Sequence, residues 1–367
     1  MKISFARDKF SPAFQHAASV AAKRDVKPIL QNVKITADKK TGVLLQATDT
    51  EYGIRIQVEE CDVYDGGEAI LPTTRVKAIL AECPDETLTL ESTDSKTVIS
   101  GFRSKWTLET QSPDEFPNVE KFEEKAYHEI QAKSLKEMIR RTTFASDQDN
   151  AKYALGGVYF EMLDSSISAV ATDGRRMAWQ EGSGQSVNEH KVESSILPTK
   201  TLQLLERVLQ DDENVKVAVS EHRVLFESGN FVFFSRLVEG RFPKWRNIIP
   251  NQDSNTSISV MAGALYSAIR QAQITTSEQE PGVFFTFDEG RLELRGSGRE
   301  IGEGSTEVPI TYSGAKQEFK ISPKFMTDVL RVLNAETNIE LYPPQGTDPF
   351  AMKTDDNYQY IVMPLAQ

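Results

Sequence analysis

The chain has 367 residues, 39% of them hydrophobic and 26% charged, with 54 acidic against 42 basic side chains and a net charge of −12. That length suits two or three domains of about 100–200 residues each, and the composition belongs to a soluble globular protein rather than a disordered or fibrous one. No run approaches the ~20 apolar residues of a membrane span, Cys61 and Cys83 cannot build a disulfide framework, and the acidic balance disfavours whole-surface attraction to nucleic acid or anionic lipid while allowing a locally basic face. The first residues, Met1-Lys2-Ile3-Ser4-Phe5-Ala6-Arg7-Asp8, carry no apolar signal-peptide stretch, so a cytoplasmic location is expected.

In chain order, an amphipathic helix is expected over 8–22, then an extended segment over 30–36 and a strand over 42–48. A second helix, 73–82, follows Leu71-Pro72, and the alternation Thr87-Leu88-Thr89-Leu90 reads as a strand. The same order returns as helix 134–143, extended 155–161, strand 167–172, helix 199–210 after Leu197-Pro198, and an alternating strand over 215–219. It returns once more as helix 263–273, extended 282–287, strand 291–295 and helix 323–333 after Ser322. Two markers hold the period: Asn32-Val33, Gly157-Val158 and Gly282-Val283 recur at steps of 125, and Pro72, Pro198 and Pro323 at steps of 126 and 125. Each proline is expected to open a helix, where its missing N–H costs nothing. The repeat predicts three α+β domains of one fold, 1–126, 127–251 and 252–367, with boundaries in the charged stretch 112–125 and the polar stretch 250–255.

The six helix windows hold eleven Lys/Arg and five Asp/Glu, a net +6 against −18 for the remainder. Because the repeat makes these helices equivalent, they should line one basic face, suited to a phosphate backbone bound without sequence reading. Helices ~8–10 Å apart and ~10–12 Å thick form, as a ring of six, a circle of axes only ~18 Å across; twelve give ~35 Å with ~25 Å clear. B-DNA, about 20 Å wide, passes only the second, so two chains could encircle DNA and one could not.

No motif advertises catalysis. Gly296-Ser297-Gly298-Arg299-Glu300-Ile301-Gly302 has the wrong spacing for a dinucleotide fingerprint and runs into extended sequence, so it reads as a loop. Thr172-Asp173-Gly174 and Thr48-Asp49-Thr50 occupy equivalent places and read as one turn repeated, with Asp bonding its own backbone. His16, His128, His190 and His222 lack metal-ligand spacing. No cofactor, metal or catalytic residue is expected.

With the repeat and basic face in view, the chain resembles the bacterial DNA polymerase sliding clamps, the beta subunits of replicative polymerases. The likeness is carried by Lys27-Pro28-Ile29-Leu30, GFRSKW from Gly101, Phe116-Pro117, ATDGRRMA from Ala171, LVEGRFPKWRNIIP from Leu237 and YIVMPL from Tyr360. The resemblance implies three DNA-clamp domains, each with two helices on the inner face and antiparallel sheets outside, in a head-to-tail homodimeric ring. It implies no enzymatic activity. The implied partners are encircled double-stranded DNA, a second copy of the chain, a clamp loader, DNA polymerase subunits and other proteins bearing a clamp-binding motif, with no membrane.

Carried over position by position, the partner-peptide groove comprises Leu155, Thr172, Gly174, Arg175, Arg176, Met177, Pro243, Asn247, Ile248, Phe325, Val362, Met363, Pro364 and Leu365, with Arg175 and Arg176 expected to meet acidic peptide side chains. The DNA-facing set is Arg24, Arg103, Lys152 and Tyr153. The sequence departs from the family at Arg175, often His; at Asn247, often Arg, with Arg246 adjacent; at Ala154, often a second Tyr; and at Ala366, often basic. For the dimer, Arg103, Lys105, Trp106 and Leu108 offer an apolar strand with basic neighbours, and Ile274 with Glu300, Glu303 and Glu307 its acidic counterpart. Two other readings are a monomeric peptide-binding adaptor and a hydrolase or transferase centred on Asp173 and Arg176.

Overall fold

The computed structural model describes residues 1–22, 27–93, 95–147, 154–250, 257–277 and 281–366. One order of elements is written three times. The first copy runs β1 (Lys2–Ala6), α1 (Arg7–Val20), β2 (Val33–Asp38), β3 (Gly42–Thr48), β4 (Tyr52–Val58), β5 (Cys61–Asp65), β6 (Gly67–Leu71), α2 (Thr73–Glu82), β7 (Thr87–Ser92), β8 (Lys96–Ser100) and β9 (Lys105–Glu109). The second runs β10 (Tyr127–Gln131), α3 (Ala132–Thr143), β11 (Gly157–Leu163), β12 (Ser166–Thr172), β13 (Arg176–Ser183), β14 (Gln185–Val187), β15 (Val192–Pro198), α4 (Thr199–Val208), β16 (Asn214–Val219), β17 (Arg223–Ser228) and β18 (Phe231–Arg236). The third runs β19 (Ile258–Met261), α5 (Ala262–Ala272), β20 (Val283–Asp288), β21 (Arg291–Gly298), β22 (Gly302–Pro309), β23 (Gln317–Ile321), α6 (Pro323–Arg331), β24 (Asn338–Tyr342), β25 (Phe350–Lys353) and β26 (Tyr358–Val362). Among the described residues it has no counterpart of β5 and β14.

The helices form where the 3.6-residue period puts apolar side chains on one stripe. In α1 that stripe is Phe10, Ala13, Phe14, Ala17 and Val20, with the rings of Phe5, Phe10 and Phe14 stacked along it. Of the three marker prolines only Pro323 stands inside its helix, at the first position; Pro72 caps α2 and Pro198 ends β15. The markers therefore locate each helix start to within one residue.

Every strand pairing is antiparallel, in four sheets of order β5-β1-β7-β8-β9, β14-β10-β16-β17-β18-β4-β3-β2-β6, β15-β11-β12-β13-β26-β25-β24-β19 and β22-β21-β20-β23. Two sheets cross from one repeat to the next. β18 pairs with β4, placing Phe233 opposite Ile54, and β26 pairs with β13, placing Ile361 opposite Met177. The chain accordingly packs as two compact units, Met1–Leu135 with Gly184–Lys191 and Lys200–Leu237, and Lys136–Ser183 with Val192–Thr199 and Val238–Gln367. The first is cored by Ile29, Leu30, Ile70, Phe116, Val119, Ala218, Leu225 and Phe234. In the second, Val170, Met177, Trp245, Tyr342, Ala351 and Ile361 form one cluster, and the rings of Phe285, Phe287, Phe319 and Phe350 another.

Candidate functional site

All fourteen groove residues fall in the second unit, and the turn between β12 and β13 organises them. Asp173 Oδ1 accepts the amides of Arg175 and Arg176 at 2.9 and 3.0 Å, while Thr172 Oγ1 donates to the Arg176 carbonyl at 2.6 Å and accepts the Gly174 amide. The same bonds recur between β3 and β4, where Asp49 Oδ1 accepts from Glu51 and Tyr52 and Thr48 Oγ1 joins the Tyr52 carbonyl to the Thr50 amide. The repeated turn is thus identical down to its side-chain bonds. Its left-handed residue is Gly174 (φ +85°) in one copy and Thr50 (φ +77°) in the other. The remaining Asp173 oxygen, Oδ2, accepts from Arg176 Nε at 2.9 Å, so this carboxylate is committed to structure.

Strand alternation then sorts the groove residues onto two faces of one sheet. Arg176 pairs with Val362 and Met177 with Ile361. Met177 and Ile361 therefore share a face, together with Val170 and Trp245, and Thr172, opposite Met177, joins them. Arg176 and Val362 point to the other face, where Val362 stands opposite Phe350. There Arg176 is 8% exposed. It donates to Asp328 at 2.7 Å and to the Phe144 carbonyl at 2.8 Å, with the Phe325 and Phe144 rings 4.5 and 5.4 Å from its guanidinium carbon. Burial opposes its charge, but the bond to Asp328 and the charges of Asp173 and Asp328 hold its pKa above the ordinary arginine value. The expectation that Arg176 meets an acidic peptide is corrected: its charge is spent on Asp173 and Asp328. Val362 is fully buried on the Arg176 face, and Ile361 is the last-strand residue on the face of Met177.

Residues 240–248 cross above the Met177 face. Trp245 packs on Trp179 with ring centroids 4.9 Å apart, and Phe242 stacks on Tyr159 at 4.9 Å. Pro243 and Asn247 line a cavity of about 470 Å³ with Tyr159, Glu161 and Arg246. Arg246 grips Glu161 with both nitrogens, at 2.9 and 2.5 Å, and that grip, with the Tyr159 hydroxyl, holds Glu161 below the usual carboxylate range. Arg246 therefore does not stand in for the cation missing at Asn247. Ile248 is 43% and Met363 41% exposed. Beyond β26 the Met363 amide donates to the Arg175 carbonyl and the Leu365 amide to the Lys320 carbonyl, so Pro364 and Leu365 line a second cavity, of about 460 Å³, with Lys320 and Pro344. Leu155 is buried just before β11, its carbonyl accepting the Asp147 amide.

The dimer residues lie on two sheet edges. Lys105, Trp106 and Leu108 are on β9, the outer strand of its sheet, and Arg103 is exposed in the preceding hairpin. Glu303 and Glu307 are on β22, the outer strand of another sheet, cross-strand from Arg295 and Arg291 at 3.1 and 3.0 Å. Glu300 sits in the β21–β22 turn, which is the loop expected of that glycine-rich run. Ile274 is 73% exposed in the short turn after α5. Of the DNA-facing set only Arg103 is described; Arg24, Lys152 and Tyr153 lie outside the described residues.

Family models for the DNA polymerase III beta subunit match the chain three times, the N-terminal domain over residues 1–120, the central domain over 129–244 and the C-terminal domain over 246–366. The beta sliding clamp of Halalkalibacterium halodurans is 30% identical, with 96% of each chain covered. This chain belongs to the bacterial beta sliding clamp family. The clamp of Pseudomonas putida is 27% identical over the full length of both chains. Among solved structures, a Pseudomonas aeruginosa clamp bound to griselimycin superposes with a TM-score of 0.92 at 25% identity over the whole of both chains. The Bacillus subtilis clamp does so with a TM-score of 0.92 at 26% identity, covering 100% of this chain and 99% of that one.

Membership explains the repeat and leaves the hydrolase or transferase reading without support. No helix of the described residues is long and apolar enough to cross a membrane. Sequence reasoning named Met177 and the C-terminal run but not Ile361 and Trp245, which pack with Met177 in one buried cluster. No sequence signal could have placed Ile361 there, because the pairing of β26 with β13 joins strands far apart in the chain.

Proposed function

We propose that two copies of this chain close head-to-tail into a ring around duplex DNA, and that the ring tethers polymerases and other partners through the groove beside Met177 and Met363. On this reading each chain is three clamp domains, 1–126, 127–251 and 252–367, without enzymatic activity, working in the cytoplasm and placed on DNA by a loader.

One observation carries the closure. β9, β18 and β26 are the same strand of the three repeats, and so are β4, β13 and β22. β18 pairs with β4 and β26 with β13, leaving β9 and β22 as outer strands. A second copy satisfies both by the same pairing, which also removes two exposed edges. The registers Ser235 opposite Tyr52 and Val362 opposite Arg176 transfer to Leu108 opposite Gly302, Trp106 opposite Gly304, Lys105 opposite Ser305 and Arg103 opposite Glu307. Trp106 then lies over two glycines beside Ile274, and Lys105 stands diagonally between Glu303 and Glu307. A heterologous contact of this kind closes a ring. In this register Arg103 serves the subunit contact.

Retention on DNA is then topological. The helices carry only +6 per chain, and a ~20 Å duplex in a ~25 Å opening cannot touch most of that charge at once. Loaded protein should stay on closed circular DNA at salt that strips ordinary DNA-binding proteins, and leave when the circle is cut. Equal retention on circular and linear DNA would overturn encirclement, and a monomer on a sizing column would restore the adaptor reading.

A further inference from the structure

We propose that the cleft between α1, the C-terminal end of α4 and the β17–β18 turn is a binding site for a small amphiphilic ammonium, an organic cation carrying an apolar body. The cleft belongs to the first compact unit, whereas the groove belongs to the second, and the proposal holds whether or not the ring closes.

The cleft has a volume of about 540 Å³, inside the ~300–1,000 Å³ range of small-molecule sites. Its floor is apolar and drawn from two repeats. Ala13 on α1 and Ile56 on β4 come from the first, Val208 on α4 and Phe231 on β18 from the second, and all four are buried. Ile56 and Phe231 stand directly opposite each other where β4 pairs with β18, so the floor lies on the strand pairing that joins the repeats. A hydrocarbon chain or ring resting there leaves water. It also braces the joint, because one occupant touches both repeats.

The rim selects a cation. Glu59 and Glu213 line it, and among the described residues neither has a cationic partner. Glu213 Oε2 accepts the Ser228 hydroxyl at 2.7 Å, and the carboxylate lies so close to Gly229 that a Cβ there would collide with it. That glycine, at φ +50°, gives the carboxylate its place at the rim. Lys9, the cation among the lining residues, is already paired with Glu60 at 3.6 Å. α4 ends at Val208, beside the cleft, and its terminal carbonyls add partial negative charge; Arg207, in the same turn, does not line the cleft. His16 completes the rim. Its imidazole makes no hydrogen bond among the described residues, and burial lowers its pKa. The ring is therefore neutral at physiological pH and offers a nitrogen lone pair to an ammonium N–H without repelling it. Two unpaired carboxylates, a helix end and a neutral imidazole thus converge over an apolar floor, an arrangement that attracts an ammonium and repels an anion.

The test uses the full-length protein and 4-phenylbutylammonium, with 4-phenylbutanol, 4-phenylbutyrate and methylammonium as controls, and takes affinities from saturation-transfer NMR. The phenylbutylammonium should bind saturably and at least about fivefold tighter than the alcohol, and neither the butyrate nor methylammonium should displace it at equal concentration. At saturation it should slow hydrogen exchange at the Gln57 amide, whose bond to the Asn230 carbonyl spans the joint. Joint replacement Glu59→Gln and Glu213→Gln should bring the ammonium down to the alcohol's affinity and leave the alcohol within about twofold. Pro12→Trp, at an exposed lining position, should narrow the mouth and weaken both. Absence of saturable binding, equal affinity for ammonium and alcohol, or displacement by methylammonium overturns the proposal. Unchanged affinity in the variants, or unchanged exchange at Gln57, places the ligand elsewhere and overturns it equally. Melting curves check that the variants fold. Glu59→Gln alone removes an exposed carboxylate with no described partner and keeps the comparison should the double variant unfold, with an expected loss of about twofold.

Discussion

Replacing Arg176 by Met tests whether the buried ion network holds the groove together. The substitution keeps the apolar stem against Phe144 and Phe325 but deletes the guanidinium that serves Asp173, Asp328 and the Phe144 carbonyl. Removing one member of a fully buried pair costs about 3–5 kcal/mol, because the partner is left charged and unpaired. Here the orphaned carboxylates retain 16% and 19% side-chain exposure and can partly rehydrate, so the lower end applies, ~3 kcal/mol. For a unit of this size ~1 kcal/mol moves Tm by about 2–4 °C, which gives a fall of roughly 6–12 °C. Asp328→Asn leaves Arg176 its other two acceptors and should cost only about 1–2 kcal/mol. The double variant should lie close to Arg176→Met alone, since much of the penalty is the stranded charge. Scanning calorimetry measures all three, and hydrogen exchange at the Gly174 and Arg175 amides reports whether the turn loosens. A loss below ~1 kcal/mol in Arg176→Met would refute the network's structural role and return Arg176 to the groove as a free cation.

Three further outcomes follow from the same geometry. Thr50 holds φ +77° with a β-branched side chain where its twin turn has Gly174, so Thr50→Gly should stabilise by up to ~1 kcal/mol and Gly174→Ala should destabilise by about as much, despite open space around it; like signs in urea titrations would contradict the strain argument. A Cβ at Gly304 would meet Thr275 at 3.2 Å and rise beneath the place assigned to Trp106, so Gly304→Val should raise the dimer dissociation constant at least about tenfold, and an unshifted sizing profile on dilution would count against the transferred register. His190 Nδ1 lies 2.7 Å from His128 Nδ1 and its Nε2 accepts the Val219 amide; burial lowers the His190 pKa below 6.5, so the unfolded chain takes the proton first. Stability from this group is complete above pH ~6.5 and falls as pH drops below it, and urea midpoints between pH 7.5 and 5.5 should show a slope that His190→Gln reduces.

Much was legible from one chain because the fold is repeated. Period and proline markers located the six helices, since an apolar stripe and a helix-opening proline are local features, and the twin turns at Asp49 and Asp173 could be read as one device because their bonds close within five residues. The groove was less legible. Arg175 and Arg176 look interchangeable in sequence, and only the pairing of β13 with β26 shows that Arg176 turns into the buried ion network while Arg175, among the described residues, enters no ion pair, because facing is set by register between residues 186 positions apart. Arg246 misled for the same reason: its adjacency to Asn247 says nothing of Glu161, 85 residues away. By itself the sequence determined what is periodic and short-range, namely the repeat, its elements, the turn chemistry and the basic bias of the helices. The tertiary structure decided which strands remain as outer edges, which face each groove residue takes and which arginine keeps its charge, because burial and ion pairing depend on partners that only folding brings within reach.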